Sequence, residues 1–65
     1  MVVTVNGEPR EVAAERIAPL LAELGYDGAF LAVAVNQELV RRASWDEVTL
    51  SDGDRIEVVT PRQGG

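Results

Sequence analysis

Short β-branched runs, turn dipeptides and one stripe of apolar residues at helical spacing divide this chain into its elements. Met1-Val2-Val3-Thr4-Val5 is strand-like and runs into Asn6-Gly7, the strongest two-residue hairpin signal. Glu8 to Val12 reads as the returning strand. Pro9 has no N–H to give to a ladder, which places that strand at a sheet edge. Ile17, Leu20, Leu21 and Leu24 then fall at i, i+3, i+4 and i+7, so a helix presents one apolar face and stops at Gly25. Pro19 fits only within its first turn, so the helix begins near Arg16 or Ile17, with no good capping side chain.

Phe30 to Val35 is a nearly continuous apolar run, too short for a free helix, and reads as a buried strand. Asn36-Gln37 turns the chain, and Glu38 to Arg41 forms a shorter, more polar strand carrying the adjacent cations Arg41 and Arg42 at its end. Ser44-Trp45-Asp46-Glu47 fits a capping box opening one helical turn. Asp52-Gly53-Asp54 is a tight turn, and Arg55-Ile56-Glu57-Val58-Val59 alternates like a half-buried strand. Two strands before one helix and more after it predict an α+β domain, a mixed four- to five-stranded sheet packed on one helix. The domain spans residues 1–60, and Pro61 ends it, leaving residues 61–65 as a flexible C-terminal tail.

Composition removes most functional classes. The 65 residues are too few to carve a deep pocket from their own core. There is no cysteine and no histidine, so thiolate nucleophiles, the usual general base and the commonest zinc ligands are all missing. A net charge of −5 opposes nucleic-acid binding, and no apolar run approaches a membrane span, so a cytoplasmic, monomeric protein is expected. Glu8, Glu11, Glu15, Asp52, Asp54 and Glu57 read as a solvated acidic face rather than a metal site. All six basic residues are arginine; without lysine the chain cannot form isopeptide chains on itself. The expectation is a carrier, not an enzyme.

The chemistry then falls to the end of the chain. Gly64 and Gly65 have no Cβ, so they can thread a narrow channel and adopt any backbone conformation. Extended from Thr60, the tail of Arg62, Gln63, Gly64 and Gly65 reaches roughly 20 Å from the sheet. An α-carboxylate titrates near about 3.5 and resists nucleophiles at neutral pH, so it needs activation, for example as an acyl-adenylate. No phosphate-binding loop occurs in the chain, so ATP and the catalyst come from a partner. Val59, the strand residue nearest the tail on the face away from Ile56 and Val58, is a candidate docking contact, with Arg41 and Arg42 as further candidates.

Ala34-Val35-Asn36-Gln37-Glu38-Leu39-Val40-Arg41-Arg42-Ala43-Ser44-Trp45, the Asp52-Gly53-Asp54-Arg55-Ile56-Glu57-Val58 turn and strand, and the Gly64-Gly65 end together resemble the ThiS family of thiamine-biosynthesis sulfur carriers. The resemblance implies the ubiquitin-like β-grasp fold. It implies that Gly65 is adenylated by an E1-like, ThiF-type enzyme using ATP and magnesium. It further implies that a cysteine-desulfurase-derived persulfide converts that adenylate to a thiocarboxylate feeding a ThiG-type thiazole synthase, with Gly64, Gln63 and Arg62 required for access to the partner. Trp45 after Ser44 resembles the thiamine-type carriers more than their nearest alternative, the molybdopterin synthase small subunit. A ubiquitin-like protein modifier and a plain interaction domain are the other readings open at this stage. Arg16 stands where a helix-capping Thr or Ser is common in the family, and Arg41 where a proline is.

Overall fold

The computed structural model of the chain describes residues 1–26 and 31–60. The order is β1 (Val2–Val5), β2 (Glu8–Glu11), α1 (Ile17–Leu24), β3 (Ala32–Val35), β4 (Glu38–Val40), a 3-10 helix (Arg42–Ser44) and β5 (Arg55–Val59). The five strands form one mixed sheet in the order β2-β1-β5-β3-β4. β5, last in the chain, lies in the middle, parallel to β1 and antiparallel to β3. β2 is an edge strand, as Pro9 requires.

The registers sort the side chains into two faces, because directly paired residues point the same way. Val3, Val5, Val33, Ile56 and Val58 face α1, and Ile17, Leu20 and Leu21 from the helix close the core with Val12, Trp45 and Leu50. Along β5 the alternation is strict, with Ile56 and Val58 buried and Arg55, Glu57 and Val59 exposed. In β3 only Val33 is buried, while Ala32, Ala34 and Val35 are half-buried. The apolar run had implied deeper burial. It is half-covered because the helix lies on one face only, and Phe30, its first residue, falls outside the described residues.

Both hairpin turns use positive φ. Asn6 and Gly7 have φ 50 and 86, and Asn36 and Gln37 have φ 53 and 72. Asparagine and glycine suit that region; glutamine carries a Cβ penalty there.

The helix begins at Ile17, with Arg16 in extended conformation and no side-chain cap. Its first turn is satisfied by tertiary contacts instead. The Ala18 N–H donates to the Trp45 carbonyl at 3.2 Å, and Pro19 has no N–H to satisfy. The approach to the helix is pinned by the Arg16–Thr49 bridge and by Leu50 N–H donating to Glu15 O at 2.8 Å. At the other end Gly25 adopts φ 85, its N–H donates to Ala22 O, and Tyr26 N–H donates to Leu21 O, which is a Schellman cap.

Two sequence expectations change in the stretch after β4. That strand ends at Val40, so Arg41 and Arg42 are not strand residues. Arg41 flanks the 3-10 helix, and Arg42 opens it. The turn expected from Ser44 forms, its carbonyl accepting from Glu47 N–H at 2.9 Å and Val48 N–H at 3.1 Å. A 3-10 helix that the capping-box motif did not imply precedes it, opening at Arg42. The cause is Trp45. Its ring is buried and its Nε1–H donates to Val40 O at 3.1 Å, so the chain must turn directly after Val40. Among the described residues, no helix is long and apolar enough to cross a membrane.

Two predictions follow from these local geometries. Replacing Gln37 with glycine relieves the positive-φ penalty and should raise the unfolding free energy by about 0.5–1 kcal/mol, read as a higher urea midpoint at unchanged slope; an unchanged midpoint counts against strain at this turn. The second concerns Glu23, whose carboxylate accepts from Ala13 N–H (3.0 and 3.1 Å) and Ala14 N–H (2.9 Å). These bonds, Ala13 first, hold its pKa below the ordinary glutamate value. A depressed folded-state pKa stabilises the fold above the unfolded-state value of about 4.3 and stops doing so as pH falls through the folded-state value. Glu23→Gln should therefore be less stable than the parent chain at neutral pH, with the gap closing in acid. A gap that persisted in acid would contradict the tether.

Candidate functional site

β5 carries the chain to its terminal segment. Val59 closes the strand and Thr60 is the last residue described before Pro61. Arg62, Gln63, Gly64 and Gly65, the expected reactive tail, lie outside the described residues.

On the sheet face away from the helix, Val59 pairs with Ala32, and Ala34 pairs with both Glu57 and Leu39. Leu39 is 69% exposed and Val59 58%, so this face presents apolar side chains to solvent beside the origin of the tail. A tryptophan or leucine would normally be buried in so small a domain, and isolated exposed apolar residues need no explanation. Leu39 and Val59 stand on one sheet face, separated by Ala32 and Ala34 of the intervening β3, and together they form a surface that a partner can cover. Val2, also exposed, lies at the start of β1 and so near the other end of β5. Sequence reading reached Val59 and missed Leu39. The alternation Glu38-Leu39-Val40 carried the signal, since Val40 pairs with Val33 on the helix side.

The two candidate cations separate from each other. The Arg42 guanidinium sits 5.5 Å from the centroid of the Trp45 ring. That cation–π contact belongs to a shallow groove of about 330 Å³ on the helix side, lined by Ala18, Leu21, Tyr26, Arg42, Trp45 and Asp46. Arg41 is exposed at the end of β4 and lines a different groove, with Leu39, Val40 and Ser44. Val59 and Arg42 therefore address different sides of the molecule.

Two of the acidic residues, Asp52 and Asp54, do structural work. Asp52 Oδ1 accepts from Val2 N–H at 2.7 Å, and Asp54 Oδ2 accepts from Ser51 N–H at 2.8 Å. Asp54 Oδ1 accepts from Asn36 Nδ2 at 3.1 Å. Glu11 lies in β2 and Glu15 in the loop before the helix, so no helical turn brings them together. Among the described residues no group of His, Cys, Asp or Glu is placed to hold a metal ion.

Comparison with known proteins fits this arrangement. The ThiS family model matches residues 3–65. The sulfur carrier protein ThiS of Thermus thermophilus is 36% identical over 63 residues, covering 97% of this chain and 98% of that one. A thiazole synthase of Paramagnetospirillum magneticum is 39% identical over 66 residues, which is all of this chain but only 20% of the synthase. The crystal structure of the thiamine biosynthesis protein ThiS from Geobacter metallireducens superposes with a TM-score of 0.84 at 36% identity, each chain covered completely. Its solution structure gives a TM-score of 0.80 at 33% identity, covering 100% of this chain and 88% of that one. The five-stranded sheet on a single helix is thus the ubiquitin-like β-grasp, and the chain belongs to the ThiS family, the small sulfur carriers of thiamine biosynthesis.

Proposed function

We propose that this chain carries sulfur on its last residue, as a substrate worked on by other proteins. The observation that carries the proposal is positional: the central strand β5 leads without any intervening element into Pro61-Arg62-Gln63-Gly64-Gly65. The Gly65 carboxylate attacks the α-phosphorus of ATP, bound with magnesium by a ThiF-type enzyme, and pyrophosphate leaves. The terminal sulfur of a persulfide, ultimately from a cysteine desulfurase, displaces AMP from the acyl-adenylate. A second thiol cleaves the resulting acyl disulfide, leaving a Gly65 thiocarboxylate and a new disulfide. Sulfur in that form is a good nucleophile, and the acceptor proposed is a ThiG-type thiazole synthase. That a thiazole synthase contains a segment matching this whole chain supports the pairing.

The residues of the chain contribute access and docking. Gly64 and Gly65 offer no side chain to obstruct a narrow active-site channel. Gln63 and Arg62 span the distance from the body. Val59 with Leu39 supplies an apolar contact on the open sheet face, and the net charge of −5 favours approach to a basic groove. Arg41, which shares a groove with Leu39, and Arg42, on the helix side, are further docking candidates.

Incubating the chain with ATP, magnesium, the adenylating enzyme and a sulfur donor should increase the mass of its C-terminal peptide by sulfur for oxygen. Deleting Gly65 should abolish the change, and an unchanged mass with an enzyme proven active on another carrier refutes the proposal. For docking, Val59→Asp should raise KM for the adenylating enzyme by roughly tenfold while costing less than about 1 kcal/mol of stability. An unaltered KM removes Val59 from the interface.

A further inference from the structure

Two asparagines hold corresponding places in the two hairpins, and each applies its side chain to β5. Asn36 grips the leading end: its N–H donates to Arg55 O at 2.7 Å, and its Oδ1 accepts from Arg55 N–H at 3.0 Å. Asn6 grips the trailing end. Its N–H donates to Ile56 O at 2.9 Å, its Oδ1 accepts from Val58 N–H at 2.8 Å, and its Nδ2 donates to Val58 O at 3.2 Å.

The Asn6 contact has a specific geometric origin. β1 stops at Val5, so β5 outruns its parallel neighbour by the last part of its length. Without a continuing strand, the Val58 N–H and C=O on that edge need other partners. The Asn6 amide supplies one acceptor and one donor, as a further strand residue would. Turn chemistry accounts for the positive φ of Asn6, which glycine would tolerate equally, but it does not call for this amide. Val58 stands two residues before Thr60, and the terminal segment follows at once.

We propose that Asn6 is a positioning residue for the C-terminal tail, tying down the end of β5 so that Gly65 is delivered from a fixed origin. This rests on the reading of Gly65 as the reacting residue. β3 holds the other edge of this end, Val33 pairing with Val58 and Ala32 with Val59, so Asn6 decides whether the end is held on one edge or two. Fraying of those last two strand residues would add roughly 7 Å of slack to the tail. A displacement of about 1 Å at a reacting centre can cost on the order of a hundredfold in rate, so slack on that scale matters to a carboxylate that must meet an activated phosphorus.

The test compares Asn6→Gly, Asn6→Asp and Asn36→Gly in the full chain. Glycine keeps each turn and removes each side-chain grip, and Asn36→Gly is the matched loss at the end of β5 remote from the tail. Asn6→Asp keeps the acceptor for Val58 N–H but loses the donor to Val58 O. Amide exchange at Val58 should quicken in Asn6→Gly by at least about tenfold. Steady-state adenylation by the ThiF-type enzyme should show kcat reduced roughly tenfold to a hundredfold with KM within about twofold, because the docking face is untouched. Asn6→Asp should fall between Asn6→Gly and the parent chain, and Asn36→Gly should keep the parent kcat. A parental kcat in Asn6→Gly overturns the proposal, as does an equal loss in Asn36→Gly, which would mark a general effect of stability. A parent chain that the enzyme fails to adenylate overturns the functional reading itself, a result distinct from either of these.

Discussion

Insertion of β5 between β1 and β3 is the interaction on which this molecule depends. The β1–β2 and β3–β4 pairs are local hairpins, each only marginally stable as two strands in water. They become one sheet through the last strand of the chain, which takes a parallel partner on one edge and an antiparallel partner on the other. Ile56 and Val58 bring β5 into the same core as Ile17, Leu20 and Leu21 of the helix. The terminal segment follows the strand that joins the two halves, and there β5 is held by β3 on one edge and by the Asn6 side chain on the other.

A domain of 65 residues has few groups to spare, and the structure uses tertiary contacts where longer chains use dedicated motifs. The helix lacks a capping side chain, and the Trp45 carbonyl accepts one of its free N–H groups. The same tryptophan is buried in the core, closes the turn after β4 through Val40 O and receives Arg42 over its ring. Glu23 on the helix ties down the loop at Ala13 and Ala14, and Asp52 and Asp54 bind backbone N–H groups around β5. Three of the eleven acidic residues are thus employed in backbone satisfaction, which is where a small chain needs them.

The helix covers one face of the sheet and leaves the other open. That asymmetry suits a protein whose own side chains include no cysteine and no histidine. In the proposed role, folding supplies a handle with Leu39 and Val59 exposed on its open face, and activation, sulfur donation and sulfur acceptance fall to other proteins.

Local chemistry was legible directly from residues. Asn6-Gly7 and Asp52-Gly53-Asp54 announce turns because their backbone preferences belong to the residues themselves, and the stripe from Ile17 to Leu24 announces a helix because its period is intrinsic. Pro9 even disclosed an edge, since a missing N–H excludes the interior of a sheet wherever it occurs. The Gly64-Gly65 end and Val59 stood out as candidates on equally local grounds, an absent Cβ and strand parity. Pairings between distant segments were not. Nothing local to Asn6 says that its amide will meet Val58, 52 positions away. Nothing in Val40-Arg41-Arg42 says that the strand stops one residue early because an indole needs the Val40 carbonyl. The place of β5 at the centre and the placement of Val59 and Arg42 on different sides came from long-range hydrogen bonding and burial. Those terms depend on which surfaces meet, and that is known only once the whole chain has closed on itself.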